Sequence, residues 1–244
     1  MRYFLQLSYF GKNFCGWQRQ ENAISVQVVL EEKLSILLSD KLEIVGCGRT
    51  DAGVHAHEYF AHFDTEKKIA SDFLYRLNAI LPTDIAIQRI IPVSEQAHAR
   101  FDATARTYKY FIHTAKNPFI EEQSFFWNKN IDLEKMNRCL QKLLGEHDFS
   151  AFEKKGSDNK TSVCVLTTAY WQTTESGYVF TITANRFLRN MVRRMTAALL
   201  QVGNGTLDEQ IVIDAVLEKK ALDVRVAVPA KGLFLWKIEY DFLS

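Results

Sequence analysis

Asp51 lies in the run Gly48-Arg49-Thr50-Asp51-Ala52-Gly53-Val54-His55-Ala56. Glycine on either side opens backbone angles closed to other residues and lets a ligand approach the main chain closely. A carboxylate in such a loop can be a nucleophile, a general base, a metal ligand or an Asx-turn residue. Turning the chain is the commonest of these roles. His55, His57 and His62 could join Asp51 in a hydrolase-like metal cluster. Against this, no cysteine or carboxylate recurs at ligand spacing, and histidines flanking the start of a strand are mostly packed structural residues.

Two further groups carry chemistry. Arg186, Arg189 and Arg193 recur at three- and four-residue spacing, and no acidic residue occurs from Ser176 through Leu207. On a helix this spacing makes a basic face, either solvated or available to phosphates. Tyr108 and Tyr110 share one face of a predicted strand, with Arg106 beside them and Lys109 opposite. Such a pair is either core or a stacking platform.

The elements that must position these groups follow from periodicity. Alternation predicts a strand over Arg2–Tyr9, and Ser25 is an N-cap for a helix to about Leu38 with Val26, Val29, Leu30, Leu34 and Leu37 on one face. Strands over Leu42–Cys47 and near Tyr59–Phe63 bracket the Asp51 loop. Ser71 caps a helix ending before Pro82, and Ile85–Val93 returns as a strand. The second half repeats the theme: strand Thr104–Thr114, a helix from Asp132 to about Leu144, and strands Ser162–Thr173 and Tyr178–Ala184 around a hairpin turn. A long helix from about Arg186 to Val202, a helix Asp208–Lys219 and a final strand Leu233–Tyr240 follow. This order predicts an α+β protein: two ferredoxin-like halves, 1–103 with the Asp51 loop and 104–244 completing a cleft, sharing a central, mostly antiparallel sheet flanked by helices.

The chain has 244 residues, 47% of them apolar, so it can bury a sizeable core. No apolar run approaches the roughly 20 residues of a membrane span, and the first residues read as a strand rather than a signal peptide. Cys15, Cys47, Cys139 and Cys164 form no CxxC pair, which predicts reduced, mostly buried thiols, a cytoplasmic location and no metal. The net charge of +1 gives no general basic coat, but it allows a local basic cleft.

The run GRTDAGVHA, Gly48 to Ala56, resembles the signature loop of the tRNA pseudouridine synthase A (TruA) family. Matching segments occur in the family's order along nearly the whole chain: Tyr9-Phe10-Gly11, Gly16-Trp17-Gln18-Arg19-Gln20, Leu77-Asn78-Ala79, His98-Ala99-Arg100-Phe101 and Ala103-Thr104-Ala105-Arg106-Thr107-Tyr108. Gly145-Glu146-His147-Asp148-Phe149, Asn185 through Arg193 and Gly232-Leu233-Phe234-Leu235 complete the series. Two positions depart from the family pattern. Phe10 stands where Asp is usual, and Thr161-Ser162-Val163-Cys164-Val165 lacks the basic residue common in that strand.

The resemblance implies isomerisation of uridine to pseudouridine at positions 38, 39 and 40 of the tRNA anticodon arm, without a cofactor. It makes Asp51 the catalytic carboxylate, Arg193 the cation that pairs with it, Tyr108 the ring stacked on the target base and Leu233 an apolar wall of the uracil pocket. Arg49, next to Asp51, reads as a wedge or phosphate ligand or as a salt bridge within the loop, and Arg186, Arg189 and Arg106 are expected to contact the RNA. It also implies a homodimer. The chemistry breaks the N-glycosidic bond, rotates the uracil and rejoins it through carbon 5, which formally needs no redox group or metal. A base inside a stem must first be flipped out of its stack.

Overall fold

In a computed structural model, residues 1–154, 156, 160–220, 222 and 226–243 are described. The fold is α+β with mostly antiparallel strand pairing and flanking helices. Two compact units make it up: Met1–Thr104 with Phe234–Ser244, and Ala105–Leu233. Among the described residues no helix is long and apolar enough to cross a membrane.

The first unit is built on β1 (Arg2–Tyr9), β2 (Val45–Gly46), β3 (His55–Asp64) and β4 (Ile85–Val93), with helices α1 (Val26–Leu38) and α2 (Phe73–Ile80). The strand order is β4-β1-β3, β2 pairs with β3, and the β1–β3 and β1–β4 pairs are antiparallel. That is the β-α-β-β-α-β arrangement anticipated from periodicity. Tyr3, Leu5, Leu7 and Tyr9 of β1 are all buried, as their alternation requires. The register slips between Leu7 and Tyr9, a bulge that re-aims the end of β1 beside the Asp51 loop.

Ser25 caps α1 by accepting the Val28 N–H at 3.4 Å, and Val26, Leu30, Leu34 and Leu38 form its buried stripe. Glu31 is buried as well, which its charge does not suggest. The second helix starts one residue later than expected. Asp72 rather than Ser71 occupies its N-cap, without a side-chain cap bond. The predicted strand Leu42–Cys47 shrinks to the two-residue β2, while β3 begins at His55. The end of the signature loop is therefore already strand. The last strand, β10 (Leu233–Tyr240), runs parallel to β3 with Phe234 opposite His55.

The second unit contains β5 (Ala103–His113), β6 (Phe125–Phe126), β7 (Gly145–Asp148), β8 (Val163–Thr174) and β9 (Gly177–Ala184). The order is β5-β9-β8-β7, with β6 added to β5. Its helices are α3 (Leu133–Gln141), α4 (Met191–Gly203) and α5 (Glu209–Leu217). Asp132 and Asp208 cap α3 and α5 through the N–H groups of Lys135 and Gln210.

The long basic helix predicted from Arg186 is corrected here. Asn190 adopts a left-handed conformation (φ 62°, ψ 3°), which an α-helix interior does not accept, so α4 starts at Met191. Arg189 lies in the turn before it and Arg186 in the irregular stretch ahead of that turn, and their spacing from Arg193 is not that of one helix face.

Candidate active site

Asp51 is half-buried, at a turn closed by the Val54 N–H donating to the Asp51 carbonyl at 3.2 Å. The residues on either side are pinned to the N-terminal segment. Trp17 N–H donates to the Thr50 carbonyl at 3.4 Å, and Gly53 N–H to the Phe14 carbonyl at 3.3 Å. The hydroxyls of Tyr9 and Thr50 are 2.9 Å apart. Gly16, with φ +82°, lies directly against Thr50 and Asp51, where only a residue without a side chain fits.

Under the loop sits an aromatic floor. Trp17 is 3% exposed and stacks on Tyr59 with ring centroids 4.1 Å apart, while the Tyr59 hydroxyl donates to the Gly48 carbonyl. Burial pushes the Tyr59 phenol well above its ordinary range, so it remains a hydrogen-bond donor. The loop is thus held by backbone contacts and rings, and Asp51 projects from a fixed support. Arg49, next to it, is exposed.

The three histidines of the alternative metal cluster have other duties. His55 is buried between the rings of Phe10 (4.4 Å) and Phe234 (4.6 Å), and its Nδ1 accepts the Gly11 N–H at 2.9 Å. His57 lies flat on Trp236 at 4.2 Å. His62 Nδ1 accepts the Ala99 N–H at 3.1 Å, and burial lowers its pKa to about 4. Among the described residues no group of three His, Cys, Asp or Glu side chains could hold a metal ion. Phe10, one of the two departures from the family pattern, acts here as the lid on His55. In the other, Thr161–Val165, Ser162 donates its hydroxyl to Glu153 at 2.7 Å.

In the second unit, Tyr108 is half-buried with its ring edge-on to Phe187 at 5.0 Å. Tyr110, two residues on, is wholly buried and donates its hydroxyl to the Pro229 carbonyl at 2.8 Å. Tyr110 is therefore core, while Tyr108 is only half-buried. Arg193 leaves α4 half-buried and gives its Nε–H to the Val228 carbonyl (2.8 Å) and an Nη1–H to Asn190 Oδ1 (3.0 Å). The Val228 N–H returns to the Arg193 carbonyl.

Tyr110, Arg193 and the segment 228–232 form one packed group that ends at Leu233, which is 5% exposed. Arg106 donates to the Asn185 carbonyl at 2.7 Å, and Asn185 in turn receives the Val165 N–H at 2.9 Å. Arg186 is half-buried beside Cys164, and Arg189 is exposed. Spacing alone gave no sign of Glu31, Asn190 or Val228.

A family profile described as tRNA pseudouridine synthase matches residues 7–102 and 139–241. A tRNA pseudouridine synthase A from Parabacteroides distasonis is 46% identical over 242 residues, which is 98% of this chain and 96% of the relative. One from Azobacteroides pseudotrichonymphae is 45% identical over 240 residues, with the same coverage of both chains. One from Bacteroides thetaiotaomicron is 42% identical over 243 residues, covering 98% and 90%.

Proposed function

The chain belongs to the tRNA pseudouridine synthase A family and is a tRNA pseudouridine synthase, an isomerase; from that premise we propose that it acts on uridines 38, 39 and 40 of the anticodon arm with the Asp51 carboxylate as catalytic group. The observation that carries this reading is the support of Asp51. A half-buried carboxylate at a glycine-bounded turn, clamped on both sides by Trp17, Tyr9 and Phe14, is organised for chemistry beyond turning the chain.

In this reading the uridine leaves its stack, at a cost of a few kcal/mol offset by phosphate contacts and stacking. Tyr108 stacks on the uracil and Leu233 walls it. Arg193 is the cation that partners the Asp51 carboxylate, since a charge taken out of water needs a partner. Arg49, Arg106, Arg186 and Arg189 meet the RNA. The protein works without a cofactor, in the cytoplasm, as a homodimer. Asp51 then serves as nucleophile or base while the glycosidic bond breaks and the uracil rejoins through carbon 5.

Purified protein incubated with an unmodified tRNA transcript, chelator and no added cofactor tests the reading, with Asp51→Asn alongside. New pseudouridine at positions 38–40 from the wild type only is the expected result. Pseudouridine from Asp51→Asn at the wild-type rate, or modification confined to another arm, overturns it.

A further inference from the structure

Helix α1 carries a buried charge that its packing does not require. Val26, Leu30, Leu34 and Leu38 already dock the helix, yet Glu31 beside them is only 5% exposed. A buried carboxylate costs free energy unless it is met by donors, and Glu31 meets three. Its Oε1 accepts the Ile44 N–H at 3.0 Å and the Gln27 side-chain amide at 3.1 Å, and its Oε2 pairs with the Arg19 guanidinium. Gln27 completes the arrangement. Its amide also donates to the Ile44 carbonyl at 3.0 Å, its Oε1 accepts the Arg19 N–H at 3.0 Å, and its own N–H donates to the Trp17 carbonyl at 3.1 Å.

Every partner outside the helix belongs to one of two segments. Trp17 and Arg19 lie on the N-terminal segment, whose Gly16 and Trp17 bear on Thr50 and Asp51. Ile44 lies on the stretch that leads through β2 into the Asp51 loop. An apolar residue at position 31 would hold the helix as well, but it would fix neither segment against the other. We propose that Glu31, acting with Gln27 and Arg19, is a positioning residue for Asp51, setting the register between the Gly16–Arg19 segment and the strand that delivers the catalytic loop. The proposal rests on the reading of Asp51 as the catalytic group.

The test is steady-state pseudouridine formation on the unmodified tRNA transcript, measured well below the melting temperature of each variant. Asp51→Asn, Glu31→Gln, Arg19→Met and Arg19→Lys are compared with the wild type. Misplacement of a reacting group by about 1 Å costs on the order of a hundred-fold in rate. Glu31→Gln and Arg19→Met are therefore expected to lose roughly ten- to a hundred-fold in kcat with KM within about three-fold. Arg19→Lys, which keeps the charge on Glu31, is expected to recover part of the loss. Arg19 is 60% exposed and its loss leaves Glu31 the Ile44 N–H and the Gln27 amide, so Arg19→Met opens no cavity and decides the matter where Glu31→Gln does not fold. Wild-type kcat in a folded Arg19→Met, or in a folded Glu31→Gln, beside an inactive Asp51→Asn overturns this proposal and spares the Asp51 reading. A fully active Asp51→Asn overturns both.

Discussion

A Cβ on Gly16 would lie 2.2 Å from the carbonyl oxygen of Thr50 and 3.1 Å from the carbonyl carbon of Asp51. The N-terminal segment and the Asp51 loop thus touch backbone to backbone, and neither neighbour is a flexible side-chain end that could swing away.

Gly16→Ala should consequently be among the most damaging single-methyl changes in the chain. The left-handed φ of +82° costs an alanine about 1–2 kcal/mol, and relief of the clash requires the loop itself to move. A total loss of about 2–4 kcal/mol in unfolding free energy is expected by urea titration. Activity should fall further than stability does. A Gly16→Ala enzyme with wild-type stability and rate would show that the two backbones are not in contact.

Tyr108 and Tyr110 should separate cleanly under mutation. Tyr110→Phe leaves the buried Pro229 carbonyl without its donor and is expected to cost about 1–2 kcal/mol of stability, with turnover of the folded enzyme within a few-fold of wild type. Tyr108→Leu should do the opposite. Its stability stays near wild type, while kcat/KM falls roughly ten- to a hundred-fold, the scale of a base-stacking contact worth about 1–3 kcal/mol. Equal effects of the two changes on turnover would remove Tyr108 from its assigned role.

The contrast between these tyrosines shows where the sequence was legible. Alternation placed both on one strand face, and β5 follows that reading, but only the fold decides that Pro229 comes over Tyr110, which is wholly buried while Tyr108 is half-buried. Local rules read well where the cause is local: Ser25 meets the Val28 N–H as its cap position predicts, and the helices expected from Asp132 and Asp208 begin there, although the cap expected at Ser71 falls to Asp72. They fail where a single backbone angle intervenes. Arg186, Arg189 and Arg193 have helical spacing, yet the left-handed Asn190 cuts the row. Glu31 was illegible for a different reason: a glutamate on a helix reads as solvated until Arg19 and Ile44, twelve and thirteen residues away, are seen to surround it.

Acid should weaken the fold through His62. It is buried among Arg2, His98, Asp64 and Asp102, and burial followed by the charge of Arg2 lowers its pKa from 6.5 to about 4. Burial lowers His98 as well. The unfolded chain therefore takes up these protons at a higher pH than the folded one does. The stabilisation is complete above about pH 6.5 and is lost as the pH falls toward 4. His62→Asn, whose Oδ1 stands where Nδ1 accepts the Ala99 N–H, should reduce the slope of the unfolding free energy across that window to the part that His98 supplies. An unchanged slope from pH 6.5 to 4 would assign the acid sensitivity to other groups.

The arginines near the start of α4 should differ in what they do for RNA binding, although their charges are alike. Arg189 is exposed, and its backbone carbonyl accepts the Lys154 N–H at 3.0 Å. Arg194, five residues on, is half-buried and gives Nη1–H to the Glu153 carbonyl at 2.6 Å, tying the helix to the segment after β7. A phosphate contact releases a counterion and adds nearly one to the slope of log K against log salt, whereas a structural bond adds nothing. Arg189→Ala is therefore expected to weaken tRNA binding, lower the salt slope by about 1 and leave the melting temperature unchanged. Arg194→Ala should lower the melting temperature and leave the slope intact. Should both variants shift the slope equally, the basic stretch acts as a diffuse field rather than through Arg189, and the RNA contact assigned to that residue fails.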